Sequence, residues 1–258
     1  MSGDQARRVQ AQFGASAGAY VASATHAGGD DLERLLGWGR ALRPARVLDV
    51  ATGGGHTALA FAAVARRVVA FDLTEPMLRA ARELVRGRGA HNIGFVAGDV
   101  EALPFREAAF DVVTCRIAPH HFGDVGAAVR QIARALRPGG SFLLQDILGH
   151  DDPEAATFIT EVERRRDPSH VRAYRTVEWK AFLRGAGLTV IDDAVIRKVR
   201  VWDDWTGRMR MTAEALRDLE RFVRQAPDRC RAAFAFTIRD AAIESFTDRM
   251  LLLRADRD

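Results

Sequence analysis

The chain has 258 residues, 48% of them hydrophobic and 28% charged, with a formal net charge of +4. That length suits one sizeable domain, and the balance is that of a globular protein rather than a disordered or fibrous one. The longest apolar runs, such as Phe142–Leu144 and Met250–Leu253, fall far short of the roughly 20 residues of a membrane-spanning helix. Met1–Arg8 is polar and offers no secretory apolar segment. Cys115 and Cys230 are too few for a disulfide framework, which points to a reducing compartment, and the expected location is cytoplasmic. The basic residues are nearly all Arg, Lys180 and Lys198 being the only lysines, a usage consistent with GC-rich coding. Acidic residues are interspersed throughout, and the one dense basic run, Arg164–Arg166, reads as a solvated face. A nucleic-acid partner is not expected, because it would call for a basic stripe with aromatics between the charges.

In chain order, Val9, Phe13, Ala17, Tyr20 and Val21 follow helical spacing. Gly14 and Gly18 interrupt that pattern, so two short helices are expected over the mouth of the domain up to His26. A helix over Asp30–Ala41, with Leu32, Leu35, Leu36 and Trp38 on its apolar side, stops before Pro44. From Ala45 onward the pattern alternates. Strands are expected at Arg46–Val50, Val68–Asp72, Ile93–Val96, Phe110–Cys115 and Ser141–Ile147. Helices fall between them at Thr57–Ala65, Pro76–Arg86 and Val125–Leu136. Strands that are apolar on both faces, alternating with helices, predict an α/β fold with a parallel sheet covered on both sides. After Ile147 come helices at Asp152–Arg166 and Val177–Ala186, then extended structure over Leu188–Val201. A largely helical insertion is expected over Trp202–Gln225 and late strands within Phe234–Ala255.

Ligands of open parallel sheets bind beyond the carboxyl ends of the strands. Strand one runs into Ala51-Thr52-Gly53-Gly54-Gly55-His56, a glycine turn opening a helix, where free backbone N–H groups suit an anionic or hydroxyl-rich ligand. Strand two ends at Asp72, placed to accept both hydroxyls of a ribose. Asp99, in a Gly-Asp turn before Leu103-Pro104-Phe105, offers a carboxylate to an adenine amine. Leu136-Arg137-Pro138-Gly139-Gly140 makes a tight turn into strand five. The glycine turn and Asp72 alone equally fit a nicotinamide-dependent oxidoreductase, which would leave Asp99 and the turn before strand five unexplained.

Together these residues resemble the class I S-adenosylmethionine-dependent methyltransferases, and within them the ubiquinone/menaquinone C-methyltransferase type. The likeness covers Ala45–Ile147 well and the remainder more loosely. It departs at Ala51, where the family commonly has glycine. The resemblance implies a doubly wound, mostly parallel, seven-stranded Rossmann-like sheet with an antiparallel last strand and helical lid segments. One domain would span residues 1–258: a helical cap (1–44), a cofactor-binding core (45–148), and lid helices with the C-terminal strands (149–258). It also implies S-adenosyl-L-methionine as cofactor and S-adenosyl-L-homocysteine as product. Ala51, Gly53 and Gly55 would let the backbone approach the methionine part, with Asp49 supporting its amino group. Asp72 would hold the ribose, Leu73 and Met77 would flank the adenine, and Asp99 would bind the adenine amine with Val100 nearby. Arg116 and Ile117 would stand at the methionine end, and Tyr20 and His26 would close over the cofactor.

His120 and His121 follow strand four, where acceptors approach in this fold, and are the candidate catalytic residues. The alternative is that one of them caps the helix starting near Asp124. His170 and Tyr174, in the lid, are weaker candidates. No metal site is expected, since no Cys or His pair has ligand spacing. An Asn/Asp-Pro-Pro-aromatic motif and a Pro-Cys nucleophile are both missing after strand four, which argues against nucleic-acid bases as acceptors. Phe158, Tyr174, Trp202, Trp205 and Met209 favour a small, partly apolar acceptor, quinone-like or a secondary metabolite. The two alternatives that share part of this pattern are an S-adenosylmethionine-binding sensor and the oxidoreductase.

Overall fold

In a computed structural model the described residues are 1, 3–21 and 28–258, without the side chains of 15–17 and 19–21. Eight strands form one sheet in the order β3-β2-β1-β4-β5-β8-β6, with β7 pairing β8. The parallel half is β1 (Arg46–Val50), β2 (Arg67–Asp72), β3 (Ile93–Ala97), β4 (Phe110–Arg116) and β5 (Leu136–Ile147). Strand order reverses between β1 and β4, which opens the crevice that such sheets use for ligands. β8 (Ala242–Arg257) runs antiparallel to both β5 and β6 (Leu188–Val201). The seven-stranded frame with its reversed last strand is therefore present. The structure adds β7 (Thr237–Arg239), three residues folded back on β8.

The N-terminal segment corrects the sequence reading. Gly3–Val21 runs as one unbroken helix, α1, through both Gly14 and Gly18, where an interruption was expected. Packing against α4 (Glu75–Gly87), with Gly14 beside Pro76, outweighs the poor helix propensity of the two glycines. α2 (Asp30–Leu42) buries Leu32, Leu35 and Leu36 and ends at Arg43, whose left-handed φ of 46° precedes Pro44. α3 (His56–Ala62), α4 and α5 (Val125–Ala135) cover the parallel strands. The expected turn before β5 is a bulge in the β4–β5 ladder: pairing jumps from Phe110–Leu136 to Val112–Ser141, and Gly139 takes φ +68°.

Beyond β5 lie α6 (Pro153–Arg166), α7 (Thr176–Gly185), α8 (Trp202–Gly207), α9 (Ala213–Gln225) and α10 (Asp228–Ala233). Asp152 caps α6 by accepting the N–H groups of Glu154 and Ala155, and Pro153 sits in its first turn, as its fixed φ favours. The expected late strands are β7 and the 16-residue β8. The core has two clusters on the faces of the sheet and a third between α6, α8, α9 and the start of β8. Among the described residues no helix is long and apolar enough to cross a membrane.

Candidate active site

The chain leaves β1 through three left-handed residues, Ala51 (φ +52°), Gly53 (φ +52°) and Gly55 (φ +83°), before α3 begins. At Ala51 this conformation costs roughly 1–2 kcal/mol for want of glycine, which gives a physical reason for the glycine usual at that position. A Cβ at Gly53 would meet nothing within 4 Å, so the loop is open there. Gly55 serves another purpose: a Cβ would stand 2.9 Å from the Ala81 Cβ, so its bareness seats α3 against α4. It is not a wall of the cavity.

That cavity opens at the carboxyl ends of β1, β2, β3 and β4. Asp49, Ala51, Gly53, Asp72, Leu73, Met77, Asp99, Val100, Arg116, Ile117 and His121 all line it, eleven of the residues named from sequence. Met1, Val9, Phe13, Thr52 and Phe122 line it too and were not anticipated. The Tyr20 side chain and all of His26 lie outside the described residues.

The three carboxylates differ in how far they are already engaged. Both Asp49 oxygens accept hydroxyls, from Thr52 and Thr114, each at 2.6 Å. Burial pushes the Asp49 pKa up to about 6 against the pull of those hydroxyls and of Arg116. Asp72 accepts the Gly53 N–H and the Thr74 N–H, each at 2.8 Å, and so fastens the glycine turn to β2. Burial raises its pKa as well. Asp99 accepts the Glu101 N–H at 2.9 Å, and its other oxygen lies 2.5 Å from the amino group of Met1. The open face of Gly53 and the carboxylates of Asp72 and Asp99 fit the adenosine part of S-adenosylmethionine.

Arg116 and Ile117 form the junction after β4. The Arg116 Nε donates to Gln145 at 2.9 Å, and its guanidinium lies 3.5 Å from Asp31 on α2. Gln145 and Lys198 also reach Asp31, at 2.7 and 3.5 Å, so the cap helix is tied to the end of the sheet. Ile117 has φ +55°, an outlier for a β-branched residue and a strain of the kind that collects at functional sites.

A second cavity shares the walls Phe13, Ile117 and His121 with the first. His120 and His121 sit in a 3-10 turn, Pro119–His121, both buried. Asp124, not a histidine, caps α5, by accepting the Ala127 N–H at 2.8 Å. His120 Nδ1 lies 2.6 Å from Asp146 Oδ1, while Asp146 Oδ2 has no hydrogen-bond partner among the described residues. Burial disfavours a charged His120, yet the carboxylates of Asp146, Glu163 and Asp167 together outweigh it, Asp146 foremost, and the net pKa is raised. The neighbouring His121 goes the other way, its pKa held down at about 3 by burial and by His120. Ser169 Oγ donates to Asp167 at 2.6 Å and so receives the His121 Nδ1–H at 3.2 Å.

The polar end of this cavity was missed from sequence. Glu163, buried, has its pKa pushed up to about 7 by desolvation, against the pull of Arg166 at 3.5 Å. Arg166 stacks on Trp205 at 4.2 Å, and Arg200 pairs with Asp248 at 2.6 Å. The run Arg164–Arg166 is thus only partly a solvated face: Arg166 shares the buried stripe of Ile159 and Val162. That helical spacing was the available signal. Of the presumed lid side chains, Trp205 and Met209 line the cavity, as does His170. Phe158 and Trp202 are core residues of the outer cluster, and Tyr174 packs against Trp179 and Phe182.

The crevice, the glycine turn and the carboxylates at successive strand ends define a class I, Rossmann-like methyltransferase fold. The comparisons agree. A family model described as a methyltransferase domain matches residues 48–144. The uncharacterized methyltransferase YcgJ of Bacillus subtilis is 34% identical over 88% of this chain and 89% of its own length. The crystal structure of a Bacillus subtilis YcgJ protein superposes with a TM-score of 0.85, at 33% identity, covering 88% of this chain and 97% of that one. The ubiquinone/menaquinone biosynthesis C-methyltransferase UbiE of Pseudomonas putida is 39% identical over 38% of this chain and 40% of its own. The chain belongs to the class I S-adenosylmethionine-dependent methyltransferases. The oxidoreductase alternative is set aside by this match.

Proposed function

We propose that this chain, as one unit over residues 1–258, binds S-adenosylmethionine in the first cavity and methylates a small acceptor held in the second. The observation that carries this reading is the wall common to both cavities, Ile117 and His121, which brings two ligands within reach of one another. When bound, the cofactor supplies an already electrophilic methyl group. The chain's own work is then to hold the acceptor in line, exclude water and accept a proton. Asp72, Asp99, Leu73, Met77 and Val100 would hold the adenosine part, and Ala51, Gly53, Asp49, Arg116 and Ile117 the methionine end. Tyr20 and His26, expected to close over it, remain proposals from sequence.

His120 is the proposed proton acceptor and Asp146 the residue that orients its ring and stabilises the charged form. His121, held neutral, would shape the passage between the cavities. The acceptor cavity joins apolar walls (Phe13, Ile117, Ile147, Trp205, Met209) to a buried polar end (Glu163, Arg166, Arg200, Asp248). It therefore suits a compact acceptor with an apolar body and at least one hydrogen-bonding group. The family match ends at Leu144, short of α6, β6 and β8 where this polar end is built, and the UbiE relative's likeness covers only 38% of this chain. Calorimetry should give binding of S-adenosylhomocysteine and none of NADH. Turnover over a panel of hydroxylated and amine acceptors should then give methylated product. Binding without turnover on any of them would favour a sensor of the same fold.

A further inference from the structure

Strand β6 forms one edge of the sheet. It pairs with β8 along one side, and nothing pairs its other side among the described residues. At 14 residues it is longer than most strands, and its outward face carries Ile191, Val195, Val199 and Val201, exposed by 53, 45, 67 and 54%. A long edge with apolar side chains in water is a template for another strand unless something blunts it. The only interruption is the bulge between Val190 and Asp192.

The order of side chains along this edge is self-complementary. Reading Ile191-Asp192-Asp193-Ala194-Val195-Ile196-Arg197-Lys198-Val199, two acids precede Val195 and two bases follow it at matching distances. An antiparallel copy related by a two-fold axis through Val195 sets Asp193 opposite Arg197 and Asp192 opposite Lys198. Ala194 then faces Ile196, Ile191 faces Val199, and Val195 faces its own copy. Because the axis repeats every pair, each charge match occurs twice. Cross-strand opposite charges and apolar pairs both stabilise such ladders. A register shifted by two residues loses charge pairs: about Ala194, Asp192 faces Ile196 and Asp193 faces Val195; about Ile196, Asp193 faces Val199 and Arg197 faces Val195, with only Asp192–Arg200 matched. Within the monomer Asp193 lies 3.1 Å from Lys180 and Asp192 3.5 Å from Arg34, exposed pairs that water screens and that a partner strand can share.

We propose that a second copy of this chain docks on β6, edge to edge and antiparallel about Val195, joining two sheets into one across an isologous dimer. An edge of this length buries less than a standard interface, so the dimer is concentration-dependent. The first cavity contains no residue of β6, and Arg200, the β6 residue in the second, points to the opposite face of the strand from Asp193 and Arg197. Substitutions at those two therefore leave S-adenosylhomocysteine binding unchanged and report folding independently.

Sedimentation equilibrium at concentrations on the order of 100 µM should give a dimer for the natural chain. Asp193→Arg and Arg197→Asp should each yield monomer, and the double variant should dimerise again, because the swap restores both pairs. A Val195→Cys variant should form a disulfide-linked dimer under copper phenanthroline, since paired strands bring facing Cα atoms within disulfide reach. Thr189→Cys, six residues off the axis, should not. Cys115 and Cys230 are buried and do not compete. A monomeric natural chain, a dimer indifferent to the single charge reversals, or a double variant that stays monomeric overturns the proposal.

Discussion

Asp72 has two tasks that a single substitution exposes together. Its carboxylate holds the Gly53 and Thr74 N–H groups and also faces the cavity. Asp72→Ala should weaken S-adenosylhomocysteine binding by about 1–3 kcal/mol in calorimetry, as for a lost charged hydrogen-bonding partner. Unchanged affinity would mean that the ligand does not use the end of β2. His120 gives the second test at this scale. His120→Ala should lower kcat by roughly 10²–10⁴ and leave cofactor affinity intact, as expected for a lost general base. Its pKa is raised, so the neutral, proton-accepting form grows as pH climbs through a value above the ordinary 6.5, and kcat should rise there. Asp146→Asn removes the charge that raises it, so the inflection should move to lower pH. A pH–rate profile that does not move would assign His120 to packing. His120 was legible from its place after β4. Asp146 was legible only as a strand end, because the pairing spans 26 residues and two strands.

At the scale of elements, the glycine turn divides its labour by position. Gly53 leaves the cavity open, whereas Gly55 lets α3 and α4 meet. Gly55→Ala should therefore destabilise by about 1–3 kcal/mol in denaturant unfolding, from left-handed strain plus the contact with Ala81. Ala81→Gly on that background should recover the contact part only. Full stability in Gly55→Ala would show that the helices can separate at little cost. The parallel strands were readable because residues such as Val47, Leu48 and Val50 must be apolar on both faces. The unbroken course of α1 through Gly14 and Gly18 was not, because α4, the helix it packs against, lies in a distant stretch of the chain.

For the molecule as a whole, the buried polar cavity sets a pH dependence of folding. Glu163 binds its proton more tightly folded, near pH 7, than unfolded, near 4.5. The folded state therefore holds the extra proton between those values, and stability falls as pH rises across them. Relative to Glu163→Gln, the natural chain should lose stability from pH 5 to pH 8 in denaturant titrations; a constant difference would mean that Glu163 is ionised throughout. The first cavity could be read from sequence because its parts follow one another along β1, β2, β3 and β4. The second could not, since α6, β6 and β8 bring Glu163, Arg200 and Asp248 together from distant stretches, and each alone resembles a surface charge. The most direct test of the whole account is a crystal structure with S-adenosylhomocysteine. It should place the adenosine between Asp72 and Asp99, with the ligand's adenine amine at the Asp99 carboxylate. A ligand bound away from both carboxylates, or none in the crevice at saturating concentration, would contradict it.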